Sequence, residues 1–304
     1  MSRKFIEDLP RKFTETILGA FREDGRRWME SLPRIIEEIE ENWRVKLAAP
    51  FQNLSYHYVA PCFFEDKREA VVKIGFPGEV KNIGNERKML EYLDGNSVNR
   101  LYDFDERRFA FLLERLTPGE NLKSVCAGNP QEAVAIAIET MRKFWQPPPA
   151  GHDFESLETW FDGFKRAENT GFEQEYMAKA RNFFERLNSP PAEKMLLHGD
   201  FHHENILSAQ RQPFLAIDPK GIVGHKAYDI TVFLLNHANW LKTEPDFRDN
   251  LNSAIEHFAA AFEIATVDLR RWCFAHSVLS AWWTFEENCG NWRRELEITK
   301  IWEV

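Results

Sequence analysis

The sequence predicts an α+β chain in two unequal lobes, and three observations predict it. Short apolar and β-branched runs cluster between Phe51 and Leu113, and stretches with helical spacing fill most of the chain beyond residue 130. Between them, Thr117-Pro118-Gly119 breaks the pattern directly after the run Phe111-Leu112-Leu113-Glu114, where a hinge belongs. With 304 residues, 43% of them hydrophobic, the chain is long and apolar enough for a large core.

Taken in order, the first element is a helix. In the stretch from Ser31 to Trp43, Ser31 and Pro33 are start signals, and Ile35, Ile36, Ile39 and Trp43 share one face that has to pack on something. Strands come next at Tyr56–Phe64, Ala70–Ile74 and Phe109–Leu113, interrupted by one helix from about Asn82 to Leu93. This makes residues 1–116 a helical segment plus a small sheet, and 117–304 the larger lobe. There, amphipathic segments near 131–145, 154–167 and 172–187 precede short apolar runs at Met195–Leu197, Asn205–Leu207 and Phe214–Ile217. Helical segments near 226–241, 246–264, 267–287 and 291–302 complete the chain. No internal repeat is visible.

Composition narrows the function. A net charge of −9 disfavours a nucleic-acid surface, which needs clustered cations, and leaves a cationic substrate compatible. No run approaches the roughly 18 apolar residues of a membrane span, and Met1–Asp8 has no apolar signal core, so a cytoplasmic protein without membrane or nucleic-acid partners is expected. Cys62, Cys126, Cys273 and Cys289 lack metal or disulfide spacing and read as reduced, mostly packed thiols.

The chemistry concentrates in His198-Gly199-Asp200-Phe201-His202-His203-Glu204-Asn205, followed by Ile217-Asp218-Pro219. Phosphoryl transfer to a hydroxyl needs a carboxylate to accept the proton and hard oxygen ligands for Mg²⁺, which neutralises phosphate charge. Asp200 fits the first role, and Asn205 and Asp218 the second, in the His-x-Asp-x₄-Asn plus Asp pattern of ATP-dependent kinases. His198 reads as a buried prop beneath the loop. Gly199 stands where regulated protein kinases carry an Arg, so nothing here reads an activation-loop phosphate.

Upstream, Lys73 sits in the apolar run Ala70–Ile74, placed to meet the α and β phosphates, and needs a carboxylate to hold it. Glu86 is favoured over Glu91. The stretch Asn53–Val59 contains no glycine, which leaves Ser55 and backbone N–H groups to meet phosphate. The backbone of Glu114 to Leu116 would face adenine. Trp282, Glu286 and Glu287 suit a cationic or sugar-like acceptor. Two other readings of these residues remain open: a catalytically silent nucleotide-binding protein, and a metallohydrolase built on His198, His202 and His203.

These residues resemble the aminoglycoside phosphotransferase superfamily, and most closely its streptomycin 6-phosphotransferase/hydroxyurea phosphotransferase branch. The resemblance is carried by Asn53–Tyr56, Val72-Lys73, Glu86 to Gly95, Leu112–Gly119, His198–His202 with Asn205–Leu207, and Ile217–Gly221. It implies a bilobal protein-kinase-like fold, with a small antiparallel N-lobe sheet carrying one main helix and a larger, mostly helical C-lobe. It also implies Asp200 as catalytic base, Asn205 and Asp218 as Mg²⁺ ligands, Lys73 with Glu86 at the phosphates, ATP as donor and a small-molecule hydroxyl as acceptor. The acceptors compatible with it range from aminoglycosides to metabolic sugars and amino alcohols, since a shared fold fixes reaction class better than substrate.

Overall fold

Alternation along the strand Glu69–Ile74 organises the first half of the chain. The computed structural model describes residues 2–189, 193–287 and 290–302. Its first unit, residues 1–95 and 99–116, comprises α1 (Ser2–Glu7), α2 (Arg11–Trp43), β1 (Val45–Leu47), β2 (Tyr58–Phe64), β3 (Glu69–Ile74), α3 (Val80–Leu93), β4 (Leu101–Asp105) and β5 (Ala110–Glu114). The strands form one antiparallel sheet in the order β1-β2-β3-β5-β4. Because side chains alternate across a strand, Ala70, Val72 and Ile74 face one way and Lys73 the other. The first set joins Ala60, Cys62, Ala110 and Leu112 in a core with Phe13, Ile17, Trp28, Met29, Leu32, Ile39 and Trp43 of α2. Lys73 instead reaches Glu86 of α3.

The helix expected to start at Ser31 and Pro33 begins twenty residues earlier. Pro33 lies inside α2, and the Ser31 hydroxyl donates to Trp28 O at 2.7 Å instead of capping an end. The apolar face runs on through Phe13, Ile17, Trp28 and Met29, so burial outweighs the one backbone hydrogen bond that a proline removes. A kink at Arg22 (φ 50, ψ −122) folds the helix on itself. Gly25 is needed beside it, since a Cβ there would come within 2.7 Å of Ile17 Cγ2 and Ile17 O.

The second unit, residues 96–98 and 117–304, comprises β6 (Pro118–Asn121), α4 (Leu122–Val125), α5 (Pro130–Phe144), β7 (Glu155–Ser156), α6 (Leu157–Phe161), α7 (Gly163–Arg166), α8 (Gln174–Leu187), β8 (Lys194–Leu197), β9 (Ile206–Ala209), β10 (Phe214–Ala216), β11 (Ile222–His225), α9 (Ala227–Leu241), α10 (Phe247–Phe262), α11 (Thr266–Glu286) and α12 (Trp292–Leu296). Residues 96–98 belong to it because Ala216 N–H donates to Ser97 O at 2.9 Å and Val98 bridges Ala216. Its strands make two small sheets, β10-β9-β6 and β7-β11-β8. The interruption at 117–119 thus leads straight into a strand. Helices dominate the unit, and α9 is buried on almost every side, as a helix apolar all round must be.

Cys62, Cys126 and Cys273 are buried free thiols, and Cys289 lies outside the described residues. Among the described residues no helix is long and apolar enough to cross a membrane.

Candidate active site

In the first unit, the Lys73 ammonium donates to both carboxylate oxygens of Glu86, at 2.8 and 2.6 Å. Both side chains are almost fully buried. The competing Glu91 pairs with Arg87 on the exposed side of α3. Ser55 is exposed on the loop before β2. Glu114 closes β5, where its N–H donates to Arg100 O and its carboxylate accepts from Arg100 N–H; Leu116 is buried.

In the second unit, strand register brings the polar residues together. The antiparallel pair β9/β10 sets Ala216 opposite Ile206, so the next residue, Ile217, donates its N–H to Asn205 O at 2.9 Å. Asn205 and Asp218 therefore leave neighbouring ends of one hairpin. The Asn205 amide nitrogen donates to Asp200 O at 3.0 Å and lies 3.4 Å from Asp200 Oδ2, contacts that leave the Asn205 Oδ1 uninvolved. The Lys220 ammonium lies 2.9 Å from Asp218 Oδ2 and 4.0 Å from Asp200 Oδ2. Asp200, Asn205 and Asp218 thus share one site. Asp218 itself is left-handed (φ 59), a strained backbone that an Asp tolerates better than most residues.

Two buried side chains hold the loop in this shape. His198 accepts from Asp200 N–H at Nδ1 (3.2 Å) and meets Ile217 O at Nε2 (2.9 Å), which selects the Nε2–H tautomer and ties Asp200 to the Asp218 segment. Burial pushes its pKa down to about 4, so it stays neutral. Asp229 on α9 accepts from His198 N–H, Gly199 N–H and Trp145 Nε1 at 2.8–2.9 Å. Burial pushes its pKa up to about 6 against the pull of those donors. Gly199 (φ 83) is required twice over, because a Cβ there would also lie 3.1 Å from Lys220 Cβ and from Trp160 Cη2.

The three histidines of the loop do not converge. His198 is engaged as above, His202 lies 3.7 Å from Asp200 and accepts from Glu204 N–H, and His203 meets His237 at 3.1 Å in a buried pair. Among the described residues no group of three or more His, Cys, Asp or Glu could hold a metal ion. The donor set that remains, one carboxylate and one amide oxygen, fits a hard cation that takes its other ligands from water and phosphate.

Trp282 is buried against Phe172 and Phe285, and Glu286 is bonded twice to Arg166, while Glu287 is exposed at the end of α11. The aromatic side chains near the loop are others. Trp160 lies 3.1 Å from where a Cβ on Gly199 would stand and packs edge to face on Tyr228 and Trp283, and His276 closes the ring against both of those. Tyr228 Oη and His276 Nδ1 are buried without a hydrogen-bond partner, both within the field of Asp200. Sequence reasoning did not single out Asp229, Trp160, Tyr228 or His276, and it gave Lys220 no role beyond its place in the run Ile217–Gly221. A lone carboxylate in the apolar run Ala227–Leu235 is the one signal that could have marked Asp229.

Comparison with known proteins adds the family. Residues 53–288 match the family model of aminoglycoside/hydroxyurea antibiotic resistance kinases. A streptomycin 6-kinase of Streptomyces glaucescens is 25% identical over 299 residues, covering 94% of each chain. Two solved structures share the fold at 14% identity: choline kinase LicA from Streptococcus pneumoniae (TM-score 0.65, covering 89% of this chain and 98% of that one), and amicoumacin kinase hAmiN in complex with AMP-PNP, Ca²⁺ and Ami (TM-score 0.62, 89% and 91%). The N-terminal antiparallel sheet and largely helical remainder are those of a kinase-like fold, and the chain belongs to the aminoglycoside/hydroxyurea antibiotic resistance kinase family, a small-molecule kinase.

Proposed function

We propose that the protein moves the γ-phosphoryl group of ATP to a hydroxyl of a small molecule, with Mg²⁺ as cofactor. The observation that carries this reading is the meeting of Asp200, Asn205 and Asp218 through the Asn205 amide and the Lys220 ammonium. Asp200 orients the acceptor hydroxyl and takes its proton as the new P–O bond forms. Asn205 Oδ1 and the Asp218 carboxylate would hold Mg²⁺, which supplies charge neutralisation at the phosphates when bound. Lys73, aligned by Glu86, meets the α and β phosphates, and Ser55 with its loop backbone meets phosphate without a glycine-rich turn. At the adenine, the Glu114 N–H is already engaged with Arg100 O, so its carbonyl serves as acceptor and the donor falls to Leu116.

For the acceptor we propose the wall of Trp160 and Trp283, with Glu287 at its rim and Tyr228 and His276 behind it. Half-exposed indoles suit an apolar ring face or a cation, and the match to a streptomycin 6-kinase over nearly the whole chain puts aminoglycosides first in the panel to be tried. The test is acceptor-dependent ADP release across aminoglycosides, sugars and amino alcohols, with Asp200→Ala alongside. That variant should lose roughly 10²- to 10⁴-fold in turnover while keeping its nucleotide affinity. A rate equal to the parent's would remove Asp200 from its role and the reading with it.

A further inference from the structure

Lys220 is held in place from four directions. Its N–H donates to His198 O at 2.7 Å, and its Cβ would stand only 3.1 Å from a Cβ placed at Gly199. Pro219 fixes the chain before it, and the left-handed residues Asp218 (φ 59) and Gly221 (φ 61) on either side fold the segment back on itself. The ammonium ends between two carboxylates, 2.9 Å from Asp218 and 4.0 Å from Asp200, with about a quarter of the side chain open (27%). Two carboxylates held this near one another repel, and a resident cation offsets that repulsion. Lysine suits a post that must be left, since its ammonium is compact, its stem flexible and its three donors free to rotate, whereas an arginine fork would clamp both oxygens.

We propose that Lys220 is a further catalytic residue. Its ammonium neutralises Asp218 and Asp200 in the nucleotide-free protein, and turns to the oxygens of the transferring phosphoryl group once nucleotide and metal are bound. The proposal rests on the phosphotransferase reading above. In the transfer, the bond between the γ phosphorus and the oxygen leaving with ADP breaks and a bond to the acceptor oxygen forms. The hydroxyl proton goes to Asp200, and Lys220 keeps its own protons throughout. Its contribution is charge, aimed at oxygens that carry more of it in the transition state than before.

The experiment compares Lys220→Met, Lys220→Arg and Asp200→Asn in the full chain. Turnover is read as acceptor-dependent ADP release, or as background ATP hydrolysis where no acceptor is taken. Binding of Mn²⁺ without nucleotide is read by electron paramagnetic resonance, and a nucleotide-induced shift in melting temperature establishes folding. Lys220→Met should lose roughly 10²-fold in kcat with nucleotide KM within roughly threefold, and Lys220→Arg should recover part of the loss. With the resident cation gone, nucleotide-free Lys220→Met should bind Mn²⁺ roughly tenfold more tightly. A folded Lys220→Met with kcat within roughly threefold of the parent, or with unchanged Mn²⁺ affinity, overturns the proposal. Should the methionine variant not fold, Lys220→Gln carries the same expectations. An inactive Asp200→Asn beside an active Lys220→Met sinks this inference alone, whereas an active Asp200→Asn sinks the phosphotransferase reading beneath it.

Discussion

Lys73 and Glu86 keep only 6% and 5% of their side chains exposed and are bonded to one another through both carboxylate oxygens, whereas Asp200, Asp218 and Lys220 retain 37%, 30% and 27%. Both clusters place opposite charges within 3 Å, yet only the first has been taken out of water. A buried pair loses its hydration and depends on its partner, so its geometry is fixed before any ligand arrives. The second cluster keeps its oxygens wet, and little of the fold's stability rests on it. What the contrast teaches is a difference in kind: the Lys73–Glu86 pair is locked to itself out of water, whereas Asp200, Asp218 and Lys220 remain open to solvent.

The comparison breaks most sharply at Asp218. Asp218→Ala should abolish Mg-dependent nucleotide binding, a loss of roughly 10²-fold or more, while shifting unfolding free energy by less than about 1 kcal/mol. Calorimetric titration of ATP with and without Mg²⁺ measures the first, and denaturant unfolding the second; retained tight Mg-ATP binding would contradict the metal role. Glu86→Ala should do the reverse in stability, costing about 3–5 kcal/mol because it strands a buried ammonium. The double variant Lys73→Met/Glu86→Leu should regain most of that stability in denaturant melts without regaining nucleotide affinity. If it binds nucleotide as the parent does, the pair is structural only.

How much of this could be read beforehand depends on range and element length. Lys73 and Glu86 are close in sequence, one on a strand and the other on the helix that follows it, and Asp200, Asn205 and Asp218 fall within one short hairpin and its loop. Their neighbourhood is a local consequence of register. The long helices α5 and α8 lie where period 3.6 predicts, and α9, α10 and α11 lie in the segments expected to be helical. The short strands β1, β4, β6 and β11 do not announce themselves: Leu101–Asp105 carries two aspartates, and Pro118–Asn121 opens on a proline and a glycine that read as a break. At Ser31 and Pro33, local start signals were outvoted by an apolar face continuing from Phe13. Trp160 against Gly199, Trp283 rather than Trp282 near the loop, and Asp229 under His198 are contacts between distant segments. One sequence holds no pattern for them, because they are settled by how whole helices pack.

Asp229 gives the smallest and most discriminating test. Its carboxyl, ordinarily near 3.8, is raised to about 6 because burial penalises the charge more than three donors favour it. In the window from about pH 4 to 6 the folded chain therefore holds a proton that the unfolded chain has released. Stability from this group is present below the window, falls as pH rises through it, and is flat above, by roughly 3 kcal/mol at most. Asp229→Asn removes the titration and leaves one acceptor oxygen for the donors of His198, Gly199 and Trp145. In denaturant melts from pH 4 to 8, the parent's advantage over Asp229→Asn should shrink between pH 4 and 6. An advantage that grows with pH would mean that the donors win and hold the carboxyl below its ordinary value. Since both backbone donors belong to the loop that carries Asp200, a shrinking advantage traces pH dependence of that loop's support to the helix beneath it.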